Sequence, residues 1–323
     1  MVVGYGAMGA NHARVLAGLK EHFALLGIVD TDPARRAAAR QDHPTVEVTG
    51  ETQGALDGVE AVVIATPPAT HYQLARSCLE ANKHCLVEKP LALVPRHAVD
   101  LADAAERAGV VLQVGHSERY NPAVEALLDM LSGEQAEILA VSAERLSPPA
   151  SRPSQVDIIH DLMIHDLEIA HSLVGGQFVD VLAAGFTAGP GADYASAILR
   201  CRGGQVVTLT ASRCTTGRVR KLRVTTLGAH YELDYRERTI TVGRRAAMAY
   251  RPGVDSLGLV QSHTCEVLSF SSQEPLARQA ADFACRVRDG ARPRVGARTC
   301  AAVLELAARI SSQVGETHAT GLV

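Results

Sequence analysis

The sequence predicts an α/β chain: a doubly wound parallel sheet first, then an α+β part with a large, mostly antiparallel open sheet. Three observations carry this. A glycine-rich turn, Gly4-Tyr5-Gly6-Ala7-Met8-Gly9, joins an apolar segment to a helical one. From there to Val114, short apolar runs alternate with segments of helical period, as parallel strands with crossover helices require. From about Gln177 to Val242 the period changes to two, which suits antiparallel strands with one solvated or partner-facing side.

The first part reads element by element. Met1-Val2-Val3 runs into the G-x-G-x-x-G turn and then the helical run Ala10 to Leu16. In such a turn Gly4 permits the tight bend, Gly6 lets the backbone approach a pyrophosphate, and Gly9 lets helix and strand pack closely. The intervening Tyr5, Ala7 and Met8 would line the phosphates, which favour the N–H groups and dipole of a helix start. A second apolar strand, Phe23 to Val29, ends at Asp30, about twenty residues beyond the last glycine. An acidic residue there accepts the ribose hydroxyls and repels a 2′-phosphate, so NAD is expected over NADP, although Arg35 and Arg36 follow closely. Only three residues precede Gly4, against about five or six in a typical strand, so a truncated first strand is expected.

Pro33 to Arg40 reads as a helix, Val46 to Val48 as a strand, and Ala61 to Ala65 as a buried strand ending in Thr66-Pro67-Pro68. Thr66 and Pro67 fall on the same sheet edge as Gly4 and Asp30. His71, in the helix of about 70–81, is either a surface or capping histidine or a cofactor contact. The strand through Cys85 to Val87 stops in Glu88-Lys89-Pro90, and Pro90 gives no N–H to a ladder. Ligands bind beyond the carboxyl ends of parallel strands, so Glu88 and Lys89 would face the crevice. An isolated Glu-Lys-Pro is more often a solvent-facing strand end, and the surrounding chain argues against that here. A helix over 95–108 and a strand from Val110 to Val114 complete the alternation.

Gly115 to Pro122 then begins a different style of sequence, with Glu118, Arg119 and Asn121 as candidates for substrate binding or as a polar hinge. The boundary is therefore expected near 117, giving a dinucleotide-binding domain of residues 1–117 and a substrate-binding and oligomerisation domain of 118–323. Residues 157–171 have helical spacing, and Asp161 and His165, four apart, would share one face. A carboxylate beside an imidazole suits a general base, and it equally suits a structural pair. A metal held by His160, His165 and His171 is disfavoured because spacings of five and six scatter them round the helix. Residues 243–272 read as irregular, and two helices, about 275–288 and 297–313, close the chain.

Composition bounds the function. The net charge is −3 with no basic block, which argues against nucleic acid. No apolar run reaches membrane-spanning length, so no membrane partner is expected. Seven cysteines without C-x-x-C spacing fit reduced thiols, a cytoplasmic location and no zinc cluster.

Taken together, Gly4-x-Gly6-x-x-Gly9, Thr66-Pro67-Pro68 with His71, Glu88-Lys89-Pro90, Asp161-x-x-x-His165 and Glu274-Pro275-Leu276 resemble the glucose–fructose oxidoreductase / inositol dehydrogenase / MocA-like family over nearly the whole chain. The resemblance implies an N-terminal Rossmann domain and NAD(P)-dependent oxidation of a sugar or cyclitol hydroxyl. It implies Lys89, Asp161 and His165 as the catalytic group, and a homodimer or homotetramer through the C-terminal sheet. Within the family, Gly115 to Pro122 with Ile164 to Glu168 looks most like the UDP-N-acetylglucosamine 3-dehydrogenases, which implies a nucleotide-sugar substrate oxidised at its 3-hydroxyl. Glu168, where Asp is more usual, and Met163, where many relatives have glycine, depart from the pattern. Either His165 or a Lys89 of depressed basicity would be the base. The alternatives are an inositol or aldose dehydrogenase, a redox-neutral lyase with cycling cofactor, and a non-catalytic NAD-binding regulator. Loss of Lys89 or His165 would have favoured the regulator, and both are present.

Overall fold

The computed structural model describes residues 1–52, 54–149, 157–186, 193–245, 249–250, 259–260, 263–270 and 272–319. The chain divides into two compact units: Met1–Tyr120 with Gln273–Glu305, and Asn121–Ser272 with Leu306–Val323. This differs from a single cut at 117/118, because residues 118–120 and the segment 273–305 belong to the first unit.

The first unit is a six-stranded, all-parallel sheet built from β1 (Val2–Val3), β2 (Gly27–Val29), β3 (Glu47–Thr49), β4 (Ala61–Ile64), β5 (His84–Glu88) and β6 (Leu112–Gly115). The strand order is β3-β2-β1-β4-β5-β6, so the winding direction reverses between β1 and β4. Crossovers are α1 (Ala7–Gly18), α2 (Pro33–Asp42), α3 (Pro68–Glu80) and α4 (Pro95–Ala108). Three of these start with proline at the first turn, where its missing N–H is no loss. The second strand is shorter than expected: it pairs with β1 through Ile28 and Val29 and with β3 over Gly27–Val29. After β6, a 3₁₀ turn (Ser117–Tyr120) leads out of the unit. From the later part of the chain, α7 (Pro275–Asp289) packs Leu276, Ala280 and Phe283 against Ala13 and Leu16 of α1 in one apolar cluster.

The second unit opens with α5 (Pro122–Gly133) and β7 (Ile138–Leu146), neither of which the sequence pattern announced. The eight-stranded sheet adds β8 (Phe178–Phe186), β9 (Tyr194–Cys201), β10 (Val206–Ser212), β11 (Val219–Thr226), β12 (Ala229–Asp234), β13 (Thr239–Arg245) and β16 (His263–Ser269). Its order is β16-β13-β12-β11-β7-β10-β9-β8, and every pair is antiparallel except β7 with β10. Two short strands, β14 (Ala249–Tyr250) and β15 (Leu259–Val260), pair separately. The irregular segment expected at 243–272 is therefore wrong for its described ends, since Arg245 pairs with His263 and Thr239 with Ser269; residues 251–258 lie outside the described residues.

The helix expected at 157–171 is present as one continuous run from 158 to 174, but it opens with a different winding. Ile159–Met163 is a π-helical turn and α6 (Ile164–Val174) follows it, ending at Gly175 in the left-handed conformation. The final helix, α8 (Ala297–Ala319), contributes 297–305 to the first unit and the rest to the second.

Candidate active site

In the first unit the glycine turn follows β1 and Thr66 follows β4, so both lie at the switch point where ligands bind such sheets. Gly4 has φ +91°, and a Cβ there would stand 2.7 Å from the Ala65 carbonyl oxygen. A Cβ on Gly9 would stand 1.7 Å from the Gly4 carbonyl oxygen. Only glycine fits either place. Gly6 meets nothing closer than Arg35 Nη1 at 3.8 Å, which leaves its surface open to a ligand. No side chain caps α1, so the N–H groups of Ala7, Met8 and Gly9 face a helix start with no acidic residue in its first turn. That arrangement fits a dinucleotide pyrophosphate.

Asp30 ends β2 and holds the loop together. Its Oδ2 accepts the Tyr5 N–H at 2.6 Å and its Oδ1 the Asp32 N–H at 2.8 Å. Tyr5 contributes backbone only, since its ring is buried and its hydroxyl donates to Asp42 at 2.8 Å. Of the two nearby arginines, Arg36 is spent on the Asp30 and Thr31 carbonyls, whereas Arg35 is half exposed and 3.7 Å from Asp30 Oδ2.

Thr66 and Pro67 lead into α3, with Pro67 at its N-cap and the Thr70 hydroxyl donating to Thr66 Oγ1 at 2.8 Å. His71 differs from its expected role. It is buried, with Nδ1 2.8 Å from the Pro90 oxygen and Nε2 2.8 Å from the Thr66 oxygen, so neither ring nitrogen is left for a cofactor. Glu88 differs as well. Its carboxylate points inward to His12 Nε2 at 2.8 Å and receives the Lys89 N–H at 3.2 Å. Lys89 itself is half-buried at the end of β5, followed by a cis bond to Pro90.

At the end of β6, Gly115 pairs with Glu88, which places His116 beside Lys89 just past the strand ends. Burial pushes the His116 imidazole down to about 3, and the Lys89 charge adds to the effect. Glu118 and Arg119 are half-buried on the 3₁₀ turn. That turn is anchored by Tyr120, whose hydroxyl donates to Asp282 Oδ2 at 2.9 Å, while Arg286 and Arg294 hold Asp282 Oδ1 at 3.1 and 3.2 Å. Burial, with the Asp282 charge and bond, raises the Tyr120 hydroxyl well above its ordinary value.

In the second unit, Asn121 is not placed for a substrate. Its Oδ1 caps α5 by accepting the Ala123 N–H at 3.1 Å, and its Nδ2 donates to the Tyr235 carbonyl at 3.0 Å. His165 stands half-buried in the first turn of α6, just past the π-helical turn that carries Asp161. Such turns insert a residue and recur at functional sites. Asp161 is ion-paired with Arg213, 2.6 Å from Nη2, so its charge is offset by the guanidinium. Next to His165, Asp166 forms a buried two-point pair with Arg145, at 2.8 and 2.9 Å, and receives the Tyr235 hydroxyl at 3.3 Å. The sequence reading missed His12, Arg145, Arg213 and Asp282. An inward-facing charge in an apolar strand or helix was the available signal, but its partner lay far away in the chain.

Two family models match the chain: the NAD-binding Rossmann-fold oxidoreductase model of GFO/IDH/MocA over residues 1–116, and the GFO/IDH/MocA C-terminal domain over 132–233. Among curated relatives, the UDP-N-acetylglucosamine 3-dehydrogenase of Acidithiobacillus ferrooxidans is 32% identical over 87% of this chain and 86% of its own. Inositol 2-dehydrogenase 2 of Saccharopolyspora erythraea is 31% identical over 56% of this chain and 55% of its own. The solved structure of the A. ferrooxidans enzyme superposes with a TM-score of 0.88 at 28% identity, covering 98% of this chain and 96% of that one. A levoglucosan dehydrogenase in complex with NADH shares the fold, with a TM-score of 0.84 at 21% identity over 98% and 96% of the two chains. The glycine cradle, the strand-end lysine and these matches over both units place the chain in the GFO/IDH/MocA family of oxidoreductases, with NAD as its cofactor.

Proposed function

We propose that this protein oxidises the 3-hydroxyl of UDP-N-acetylglucosamine to a ketone. The observation that carries the reading is the likeness to the A. ferrooxidans enzyme, which runs through both units rather than the nucleotide-binding one alone. NAD⁺, when bound, supplies the acceptor for the hydrogen removed from carbon.

The chain's own residues supply the rest. The α1 N–H groups hold the pyrophosphate, and Asp30 receives the adenosine ribose hydroxyls and disfavours a 2′-phosphate. Thr66 and Pro67 line the same crevice. His165 takes the hydroxyl proton, Asp161, its charge balanced by Arg213, serves as the carboxylate partner of the imidazole, and Lys89 stabilises the developing alkoxide. Glu118 and Arg119 bind substrate, with the Arg119 guanidinium suited to a diphosphate. Along the open face of the eight-stranded sheet, Leu182 pairs with Ile198 and Phe186 with Tyr194, all exposed. That apolar row supports assembly as a homodimer or homotetramer through the sheet, which light scattering after size exclusion would measure.

The test is nicotinamide absorbance on purified protein given NAD⁺ and UDP-N-acetylglucosamine, with and without 2-oxoglutarate. Reduction without the oxoacid supports the reading, and so does 3-keto sugar formed only once the oxoacid is added, with the cofactor recycled in place. No product in either case, with turnover of myo-inositol or a free aldose instead, would replace the substrate and keep the reaction.

A further inference from the structure

Two buried histidines flank the same dipeptide. His12 lies on α1 among Ala13, Val15 and Leu16, and is fully buried. A position that served only to pack a helix on a sheet would carry an aliphatic residue there, because a buried polar ring is retained when it has a partner. The partner is Glu88, with Nε2 to Oε1 at 2.8 Å and both side chains at least nine-tenths buried. The second Glu88 oxygen receives the N–H of Lys89 at 3.2 Å. Room for the carboxylate is made by Gly115 on the neighbouring strand, where a Cβ would come within 2.9–3.1 Å of Glu88.

On the other side of the lysine, His71 of α3 reaches the Pro90 oxygen with Nδ1 and the Thr66 oxygen with Nε2, each at 2.8 Å. Carbonyl oxygens only accept, so a neutral ring serves one of them and a doubly protonated ring both. With Nδ1 protonated, the ring holds the Pro90 carbonyl and so ties α3, with the Thr66 turn that leads into it, to the residue after Lys89.

We propose that His12 and His71 are positioning residues for Lys89, His12 acting through the Glu88 carboxylate before it and His71 through the Pro90 carbonyl after it. This rests on the reading of Lys89 as a group that acts on the substrate. A lysine carries its charge on a flexible four-carbon stem, so its accuracy depends on how firmly its backbone is held. The two histidines also connect that backbone to α1, whose first turn is the phosphate cradle, and to the Thr66 turn.

The experiment compares His12→Leu and His71→Leu with His12→Gln and His71→Asn, whose amides place a donor where His12 Nε2 and His71 Nδ1 stand. Three readouts are taken: kcat with NAD⁺ and UDP-N-acetylglucosamine, NADH affinity by its fluorescence, and the pH profile of Lys89 acetylation by acetic anhydride followed by mass spectrometry. The Leu variants should lower kcat by about tenfold to a hundredfold, as expected for a misplaced catalytic group. NADH affinity should stay within about threefold, the Lys89 acetylation profile should shift, and the two amide variants should recover much of both losses. Where a Leu variant fails to fold, His12→Asn, too short to reach Glu88, or His71→Ala takes its place with the same expectations. Folded variants with unchanged acetylation profiles and unchanged kcat would overturn the proposal. Turnover that survives Lys89→Ala, or a wild type inactive on this sugar, would instead sink the functional reading, and the acetylation profile would still decide the positioning.

Discussion

The Arg145–Asp166 pair tests how the helix bearing His165 is held. Arg145 comes from the middle of the eight-stranded sheet and Asp166 from the first turn of α6; their side chains are 4% and 3% exposed. Two parallel bonds of 2.8 and 2.9 Å join them, and the guanidinium lies 5.1 Å from the centre of the Tyr235 ring. Arg145→Met would leave the Asp166 carboxylate buried, with the long 3.3 Å bond from the Tyr235 hydroxyl in place of the two-point pair. Removing one member of such a buried pair costs about 3–5 kcal/mol, because the remaining charge stays desolvated. Total stability is about 5–15 kcal/mol, so the loss would be large. The double variant Arg145→Met with Asp166→Leu removes both charges and should cost far less than the two single changes added together. Urea unfolding followed by circular dichroism measures this, since the chain has no tryptophan to report by fluorescence. Single changes costing under about 1 kcal/mol, or a double that equals their sum, would refute the argument.

The other expectations are shorter. Lys89→Ala and His165→Ala should each abolish turnover while NADH still binds with near wild-type affinity; wild-type-like rates in either would remove that residue from the mechanism. Asp30→Ser should raise the preference for NADP relative to NAD by about tenfold or more, since it removes a carboxylate near the ribose and leaves the half-exposed Arg35 in place; an unchanged ratio of kcat/KM values would count against Asp30 as the discriminator. His116 has a folded-state value pushed down to about 3 from 6.5 by burial and the Lys89 charge. The unfolded chain therefore binds the extra proton first, so the stability from this group is complete above pH 6.5 and erodes as the pH falls toward 3. The slope over that window is about 1.4 kcal/mol per pH unit; wild type and His116→Gln unfolding curves that run parallel between pH 7 and 5 would contradict it. Asp157 behaves similarly lower down: burial pushes it up, but the His160 and Ser311 bonds outweigh that and hold it at about 2, so its contribution disappears only as the pH drops from 3.8 toward 2. Asp157→Asn should flatten acid unfolding in that range.

How far the sequence reached depends on the range of the forces involved. The alternation of strands and helices through Val114, the glycine cradle and the acidic end of β2 were legible because each is a local matter. A left-handed Gly4, a proline in a first helical turn and a period of two or 3.6 are set by residues within a few positions. The antiparallel sheet was legible for the same reason wherever alternation was clean. β7 was not, because Arg145 interrupts the buried face that Val141 and Ala143 begin. Arg145 is tolerable there only because Asp166, twenty-one residues on, neutralises it. Likewise the strand at 263–269 becomes visible only when β13 pairs with it.

For the site, the sequence by itself determined which residue types stand at the strand ends: the glycines, Asp30, Thr66, Glu88 and Lys89. The tertiary structure decided what each side chain does. Glu88 turns inward because His12, seventy-six residues away, offers it a buried partner. His71 is taken by two carbonyls, Asn121 caps a helix, and Asp161 answers to Arg213, fifty-two residues downstream. A polar atom removed from water takes whichever partner the fold brings within hydrogen-bond distance, and sequence spacing cannot show which one that will be.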